Sequence, residues 1–224
     1  MYVLDTANIE QISEAIKLYQ LDGVTTNPTI LSREKSEHYF GHLKALKNTL
    51  KDKRLYVQVT ASTFEEMKEE VDLLKKELGE DISIKIPASS PGFQLMKHLK
   101  GHMHVTATAI CSYELGLMSM ACGANALALY MNRMANEGID ANQVASDLRS
   151  YIDQNHLDVR LIGASYKNVV QIRQSFLSGV HQATISYDLL KTSMQAKILR
   201  DSIKQFEEDF RNQYQVENAL HVKK

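Results

Sequence analysis

The sequence has few of the features that mark secreted, membrane-bound or nucleic-acid-binding proteins. Its two cysteines, Cys111 and Cys122, are well separated and form no CxxC pair, which indicates reduced thiols in a cytosolic setting. The formal net charge is -1 with both signs interspersed, so we expect no basic surface for nucleic acid or an acidic membrane. No apolar run approaches the ~18 residues of a membrane span, and no signal-peptide pattern opens the chain. We expect a soluble, cytoplasmic protein.

Linkers and low-complexity segments are missing as well. No stretch rich in proline, glycine or serine divides the 224 residues, and no glycine-rich dinucleotide-binding fingerprint follows the first predicted strand. This length is compatible with two small domains or with one barrel-sized domain, so the order of the predicted elements has to decide between them.

Segments with strand and helix patterns alternate along the chain. Short apolar segments predict eight strands, at residues 2–5, 23–26, 54–60, 82–87, 103–107, 125–131, 159–164 and 182–185. Helical spacing separates them, most clearly over residues 63–79, whereas the Asn27-Pro28 pair predicts a loop and residues 188–191 a brief turn. The alternation predicts an α/β fold with a parallel sheet. Eight units favour a closed (β/α)8 TIM barrel over an open doubly wound sheet.

The chain continues beyond the eighth unit with a further predicted helix, over residues 194–215. Ile198, Phe206 and Phe210 belong to an apolar stripe on this otherwise charged segment. An amphipathic helix of this kind needs a surface to cover its apolar face, and that surface is either one end of its own barrel or a neighbouring subunit. We therefore predict a single barrel domain over residues 1–224 with an additional C-terminal helix.

One lysine, Lys85, interrupts the fourth predicted strand, which is otherwise rich in β-branched apolar residues. Burial in an apolar surround lowers the pKa of a lysine, because the charged form loses its hydration, and so leaves more free amine near neutral pH. A free amine is a nucleophile towards carbonyl groups. The alternative is a lysine at a strand end that reaches water or pairs with a carboxylate.

Polar residues recur where the predicted strands end, which is where barrels of this type build their active sites. They are Asp5, Asn27, Gln58, Lys85, Thr108, Tyr130 and Ser165. Each has a structural explanation of its own, such as a helix cap for Asp5 and Ser165 or a turn former for Asn27. Together they predict a site for a polar, carbonyl-bearing substrate, in which a Schiff base forms and carboxylate, phenol and hydroxyl groups move protons.

Basic residues follow the sixth and seventh predicted strands. Arg133 comes shortly after Tyr130, and Lys167 lies close to Ser165. Loops after the late strands of such barrels often hold phosphate, and arginine offers the two-pronged donor that phosphate geometry favours. The alternative is that Arg133 and Lys167 are solvated surface charges.

Histidines occur in two groups, His38 with His42 and His98 with His102 and His104. No acidic or cysteine partner completes a metal site in either group, and histidines on helix surfaces explain them. We therefore predict no metal.

Two longer segments resemble the signature sequences of the transaldolase family. They are GVTTNPTIL at residues 23–31 and ISIKIPAS at residues 82–89, and the resemblance extends over essentially the whole chain. The short length, with ALYMNR at 128–133 and GASYKN at 163–168, is most similar to the fructose-6-phosphate aldolase and small-transaldolase branch. The resemblance also implies a ring-shaped homo-oligomer, a pentamer or decamer, in which the C-terminal helix reaches a neighbouring subunit.

The resemblance implies a role for each matching residue. Lys85 matches the lysine that forms a Schiff base with the C2 carbonyl of a ketose. Asp5 and Asn27 match groups that bind the donor hydroxyls, Asp5 also takes part in proton transfer, and Thr26 stands beside Asn27 in the same signature. Thr108 matches a residue that positions a catalytic water. The residues that match the phosphate-binding set are Arg133, Ser165 and Lys167, the last at a position where larger transaldolases generally carry arginine.

Two positions separate the branches of the family. Transaldolases resemble one another in a glutamate on the third strand and a phenylalanine on the sixth, whereas the aldolases have glutamine and tyrosine. This chain has Gln58 and Tyr130 at the two positions, which is the aldolase combination. A phenol can hydrogen-bond the catalytic water and help to hydrolyse the enamine, which favours release of dihydroxyacetone. Leu129, where the aldolases often have proline, and Cys111 depart from the pattern and leave the fine substrate preference open.

The resemblance therefore implies a class I aldolase that cleaves fructose 6-phosphate to dihydroxyacetone and glyceraldehyde 3-phosphate. No metal or organic cofactor is implied, because the lysine supplies the electron sink. One alternative is a transaldolase, which would convert sedoheptulose 7-phosphate and glyceraldehyde 3-phosphate to erythrose 4-phosphate and fructose 6-phosphate. A more remote alternative is a barrel that binds sugar phosphates without turning them over.

Overall fold

Eight parallel strands close into a barrel in the computed structural model, which describes residues 1–221. Each strand pairs with its neighbours in the sequence, and β1 closes the barrel by pairing with β8 as well as β2. The strands are β1 Tyr2–Asp5, β2 Gly23–Thr25, β3 Arg54–Gln58, β4 Ser83–Pro87, β5 His104–Ile110, β6 Ala126–Tyr130, β7 Arg160–Ala164 and β8 Gln182–Ile185. The predicted (β/α)8 fold is confirmed, and every predicted strand is present, with the same ends for β1 and β8 and shifted ends for the other six.

Helices follow the strands along the chain. They are α1 Ile9–Leu18, α2 Pro28–Leu31, α3 Tyr39–Leu50, α4 Phe64–Leu78, α5 Ser90–Leu99, α6 Tyr113–Ala121, α7 Met131–Asn136, α8 Ala141–Gln154, α9 Val169–Leu177, α10 Tyr187–Met194 and α11 Lys197–Tyr214. Two short 3-10 turns, Ser32–Glu34 and Ala219–His221, complete the described chain.

Two of the sequence predictions are wrong in detail. The predicted loop at Asn27-Pro28 is the start of α2, in which the Asn27 side chain accepts from the Ile30 backbone N–H and Pro28 occupies the first helical turn. Proline is suited to that position, because the N–H that it lacks has no partner within the helix there. The brief turn expected at residues 188–191 is the middle of α10.

Apolar side chains are buried on both sides of the strands. Ile84 and Ile86 are fully buried on the outer face of β4, because successive residues of a strand point to opposite faces. Lys85, between them, therefore points into the barrel. The interior of the barrel contains a packed cluster of buried side chains, which are Val3, Tyr56, Ala126 and Ile162.

The chain divides into two units, residues 1–187 and the segment from Asp188 onward. The helix predicted over residues 194–215 is present in the second unit as α11. Its apolar side chains include Ile198, Ile203 and Phe206, all of which are exposed, with Phe206 at 69%. Within residues 1–221, no helix combines the length and the apolar character needed to cross a membrane.

Candidate active site

A cavity of about 110 Å³ opens where the barrel strands end. Most of the residues that the sequence singled out come together in its lining, and they are Asp5, Asn27, Lys85, Thr108, Tyr130, Arg133 and Ser165. The lining also contains residues that sequence reasoning missed, which are Thr25, Thr106, Ala128, Ile162, Ala164 and Thr184. The lining thus combines a nucleophile, a carboxylate, a phenol, a guanidinium and several hydroxyls in one small space.

The pairing register explains why these residues meet. Strands of a closed barrel are tilted, so inward side chains at one level come from alternate strands. The register around the barrel places four inward residues of the even-numbered strands at one level. They are Thr25, Lys85, Ala128 and Thr184. The level above it, nearer the mouth, comes from the odd-numbered strands and is Asp5, Gln58, Thr108 and Ala164.

Lys85 is almost completely buried, with 6% of its surface exposed. Its Nζ donates a hydrogen bond to the backbone carbonyl of Thr26 at 2.8 Å. Burial lowers the pKa of Lys85 below the ordinary lysine value, and the charge of Asp5 opposes this shift without reversing it. A larger fraction of the side chain is therefore free amine near neutral pH, in the protonation state that attacks a carbonyl group.

Thr26 contributes to the site through its backbone. Its hydroxyl donates to the carbonyl of Tyr56 at 3.1 Å, and its side chain is absent from the lining of the cavity. Its own carbonyl, in contrast, holds the Lys85 amine. The signature threonine is thus a structural link between β2, β3 and the lysine.

Gln58 and Lys167 lie outside the cavity lining. Gln58 pairs directly with Lys85 in the sheet register, so its side chain stands beside the lysine on the inner face of β3. Lys167 is exposed on the loop after β7, where its backbone N–H donates to the Gln171 side chain at 2.8 Å. Gln58 is therefore a neighbour of Lys85, whereas Lys167 is an exposed residue of the loop after β7.

The end of the cavity at β6 and β7 carries the positive charge. The Arg133 guanidinium carbon lies 4.4 Å from the centroid of the Tyr130 ring, a cation–π geometry that fixes both side chains. Ser165 follows β7 with a φ of 65°, a left-handed conformation that is uncommon for a residue other than glycine. Backbone strain of this kind concentrates at functional sites, and here it accompanies a side chain that lines the cavity.

The end of β5 shows a second irregularity. Ala109 has a φ of 61°, and the register between β5 and β6 shifts between Ala107 and Ile110. A bulge at the rim of a barrel changes the direction of the neighbouring side chains and interrupts pairing. It follows Thr108 directly, so it shapes the strand end that carries this hydroxyl into the cavity.

His104, which belongs to the second group of histidines, makes a structural contact with a neighbouring strand. Its Nδ1 lies 2.9 Å from the Ser83 hydroxyl near the start of β5, at the end of the barrel away from the cavity. Burial, assisted by the charge of Arg54, lowers the pKa of His104 to about 4. Within residues 1–221, no group of three His, Cys, Asp or Glu side chains is arranged to hold a metal ion.

A larger surface cavity, of about 340 Å³, lies among α7, the start of α8 and α9. Its lining contains a single ionisable side chain, Asp140, whose carboxylate accepts from the backbone N–H groups of Asn142 and Gln143. The smaller cavity at the strand ends is therefore the candidate chemical site, since it alone of the two contains a nucleophile and basic groups.

Comparisons with known proteins found matches both in sequence and in fold. A family model described as Transaldolase/Fructose-6-phosphate aldolase matches residues 2–223. A probable fructose-6-phosphate aldolase from Streptococcus pneumoniae (strain ATCC 700669 / Spain 23F-1) is 33% identical over 211 residues, which are 93% of this chain and 95% of that protein.

Two solved structures share the fold. One is dihydrodipicolinate synthase from Rhodopseudomonas palustris, with a TM-score of 0.61 and 11% identity, where the match covers 82% of this chain and 68% of that chain. The other, described as "Native KDPGal structure", has a TM-score of 0.59 and 14% identity, and the match covers 82% of this chain and 80% of that chain. At these identities the two matches show the fold alone.

Proposed function

Because the chain belongs to the transaldolase and fructose-6-phosphate aldolase family, we propose that it is a class I aldolase that cleaves fructose 6-phosphate. The products are dihydroxyacetone and glyceraldehyde 3-phosphate. The single observation that carries the proposal is Lys85, a buried amine with a lowered pKa beside a carboxylate in a polar cavity.

The reaction begins with the Lys85 amine. The free amine attacks the C2 carbonyl of the ketose, and loss of water from the resulting carbinolamine gives an iminium ion. Asp5 and Asn27 bind the hydroxyl groups of the donor end, which holds the carbonyl carbon near Nζ.

Cleavage of the C3–C4 bond follows. The C4 hydroxyl loses its proton to the Asp5 carboxylate while the bonding electrons move towards the iminium nitrogen. Glyceraldehyde 3-phosphate leaves, and a neutral enamine remains on Lys85. The lysine supplies the electron sink for this step, so the proposal assigns no metal or organic cofactor to it.

Release of the second product needs a proton and a water molecule. Protonation of the enamine at C3 regenerates the iminium, which water hydrolyses to dihydroxyacetone and the free amine. Thr108, Gln58 and the Tyr130 phenol are the groups that we assign to this water. The same enamine would add to erythrose 4-phosphate in a transaldolase, and the glutamine and tyrosine pair favours hydrolysis.

The phosphate group of the substrate is assigned to the positive end of the cavity. Arg133 and Ser165 supply a guanidinium and a hydroxyl in the lining, and Lys167 adds a charge at the rim. A lysine at this position contributes a point charge without the two-pronged geometry of arginine. Sugar phosphates are therefore the proposed partners, rather than nucleic acid or a membrane.

Two further properties belong to the proposal. The enzyme acts in carbohydrate metabolism in the cytoplasm, and it assembles as a homo-oligomer, a pentamer or a decamer. Support for assembly comes from α11, whose apolar face is exposed in the single chain.

Product analysis distinguishes the candidate activities. The enzyme is incubated with fructose 6-phosphate alone and with added erythrose 4-phosphate, and the products are identified by mass spectrometry. We expect free dihydroxyacetone without the acceptor. Sedoheptulose 7-phosphate that forms only with the acceptor would make the chain a transaldolase, and binding of fructose 6-phosphate without cleavage in either mixture would indicate a non-catalytic barrel.

The assignment of Lys85 has its own test. Borohydride reduction in the presence of dihydroxyacetone should attach the ligand covalently to the wild-type chain, and Lys85→Met should abolish this attachment. Lys97→Met is the matched control, because Lys97 is an exposed lysine on α5. Attachment that survives in Lys85→Met would reject the assignment.

A further inference from the structure

Three side chains on three strands form a hydrogen-bonded chain beneath the mouth of the cavity. The Thr25 hydroxyl on β2 donates to Oδ1 of Asp5 on β1 at 2.7 Å. The Thr184 hydroxyl on β8 lies 2.6 Å from the Thr25 hydroxyl. Both threonines are buried, Thr25 at 2% and Thr184 at 5% exposure, so water does not replace these contacts freely.

The direction of donation along these two hydrogen bonds follows from the number of hydroxyl protons. A hydroxyl has one proton to donate, and Thr25 gives its proton to Asp5. Thr184 must therefore be the donor in its contact with Thr25. Two aligned hydroxyl groups thus point their protons towards the carboxylate, and each polarises the next.

The barrel register makes the chain possible although β8 and β2 are not paired with each other. Both flank β1, and Val3 pairs with Gly23 on one side and with Thr184 on the other. The stagger between neighbouring strands of the barrel brings Thr184 and Thr25 to the same level inside it, directly beneath Asp5. The β-branched Thr184 side chain has few rotamers available, which suits it to holding one direction.

We propose that Thr184 is a positioning residue for Asp5, acting through Thr25. Thr184 holds the Thr25 hydroxyl in the orientation that engages Oδ1, and this leaves Oδ2 directed to the substrate. Oδ2 accepts no hydrogen bond from any residue in the described part of the chain. In the proposed cleavage step, on which this inference rests, the O–H bond of the C4 hydroxyl breaks and its proton moves to Oδ2.

The other charged and titratable groups that face Asp5 across the cavity are Lys85 from β4, Tyr130 from β6 and Arg133 from α7. None of them contacts Thr184 through a hydrogen bond. A change at Thr184 therefore reaches Asp5 through Thr25, while the rest of the electrostatic environment is kept.

Thr184→Val tests the proposal, because valine keeps the shape of threonine and removes the donor. We expect kcat for fructose 6-phosphate cleavage to fall on the order of tenfold, with KM changed less than about twofold, since one charge-assisted hydrogen bond is disturbed. In the ligand-free enzyme, the carbon-13 chemical shift of the Asp5 carboxyl group at neutral pH should change in Thr184→Val, because the Thr25 hydroxyl is no longer held in the orientation that engages Oδ1. Thr184→Ser should restore both values towards those of the wild type.

Ser119→Ala is the matched control, since it removes an equally buried hydroxyl from α6, where Ser119 donates to the Leu115 carbonyl. It should leave both readouts unchanged. If Thr184→Val does not fold, Thr184→Cys takes its place, because a thiol of similar size is a weak donor and should shift both readouts in the same directions.

The outcomes separate this inference from the proposed function. An unchanged carbon-13 shift of the Asp5 carboxyl group, an unchanged kcat or a change confined to KM in Thr184→Val would overturn the role of Thr184. Failure of the wild type to cleave fructose 6-phosphate would instead reject the proposed activity. The NMR comparison of the free wild-type and variant enzymes would then still decide whether Thr184 controls Asp5.

Discussion

Two effects act in opposite directions on the pKa of Lys85, namely its burial and the charge of the neighbouring Asp5. Burial removes water from the Lys85 ammonium and lowers its pKa, whereas the negative charge of Asp5 stabilises the ammonium and raises it. Burial is the larger effect. The lysine is thus available as an amine, while the carboxylate limits how far the pKa falls.

Asp5→Asn should therefore lower the pKa of Lys85 further. The pH at which cyanoborohydride trapping of dihydroxyacetone is half-maximal should move down, because the charge that favours the ammonium is gone. Cleavage of fructose 6-phosphate should fall by about 10²–10⁴-fold, the usual contribution of a proton-transfer group. Asp72→Asn, an exposed position on α4, is the control. A trapping profile that stays at the wild-type pH would contradict the coupling.

His104 predicts how stability depends on pH. Its pKa is lowered from the ordinary histidine value of 6.5 to about 4 in the folded protein, because of burial and then the charge of Arg54, with Asp158 opposing and Arg160 assisting. Between these two values the unfolded chain binds more protons than the folded one. The free energy of unfolding contributed by this group should thus be full at pH 7, and should be lost as the pH falls from about 6.5 to about 4.

The measurement is urea unfolding at pH 7 and at pH 4.5 for wild type, His104→Gln and the exposed control His102→Gln. His104→Gln should lose less stability than wild type between the two pH values, because glutamine does not titrate. His102→Gln should follow the wild type. Equal losses in all three proteins would show that His104 does not titrate as described.

The junction of β4 and α5 supports the strand that carries Lys85. Ser89 caps α5 by accepting from the backbone N–H of Gly92 at 3.2 Å, and a Cβ at Gly92 would overlap the Pro87 carbonyl oxygen. This close approach brings the helix against the end of β4. The position needs glycine for space, since the obstructing atom belongs to the backbone and cannot turn aside.

Gly92→Ala should reduce the free energy of unfolding by about 1–3 kcal/mol, the usual cost of overpacking, because β4 or α5 has to shift. Turnover should fall as well, since the shift begins next to Lys85. The comparison variant is Gly41→Ala on the exposed surface of α3, where alanine should be neutral or stabilise by up to about 1 kcal/mol. Urea unfolding measures both, and a stable, fully active Gly92→Ala would contradict the packing argument.

The helix α11 carries an apolar surface that is left exposed in the single chain. The apolar residues of α11 occupy one side of the helix, and Ile198 at 77% and Phe206 at 69% are far more exposed than such side chains usually are. Contact with a neighbouring subunit would bury this face, in agreement with the proposed homo-oligomer.

Phe206→Glu should therefore weaken the assembly, because it places a charge in the proposed contact. Light scattering at several protein concentrations should show a smaller mass than that of the wild type. Lys204→Glu introduces a negative charge on the polar side of α11, about 160° around the helix from Phe206, and should leave the mass unchanged. The proposed contact would be rejected by an unaltered mass of Phe206→Glu, or by a wild-type chain that is monomeric.

The sequence by itself determined the class of fold and indicated the central residue of the candidate site. Alternating strand and helix patterns depend on neighbours along the chain, so they are visible without any tertiary contact. Lys85 stands between two isoleucines in such a pattern, and its inward direction followed from the alternation of a strand. The short helices α2 and α10 escaped prediction, because so few residues leave little periodicity to detect.

Only the tertiary structure decided which distant residues meet. Thr25 and Thr184 are 159 residues apart, and their contact depends on closure of the barrel and on its exact stagger. The bond from Lys85 to the Thr26 carbonyl and the position of Lys167 outside the cavity lining have the same origin. Local periodicity specifies the direction in which a side chain leaves its strand, whereas the register between strands specifies its level in the barrel and therefore its partners.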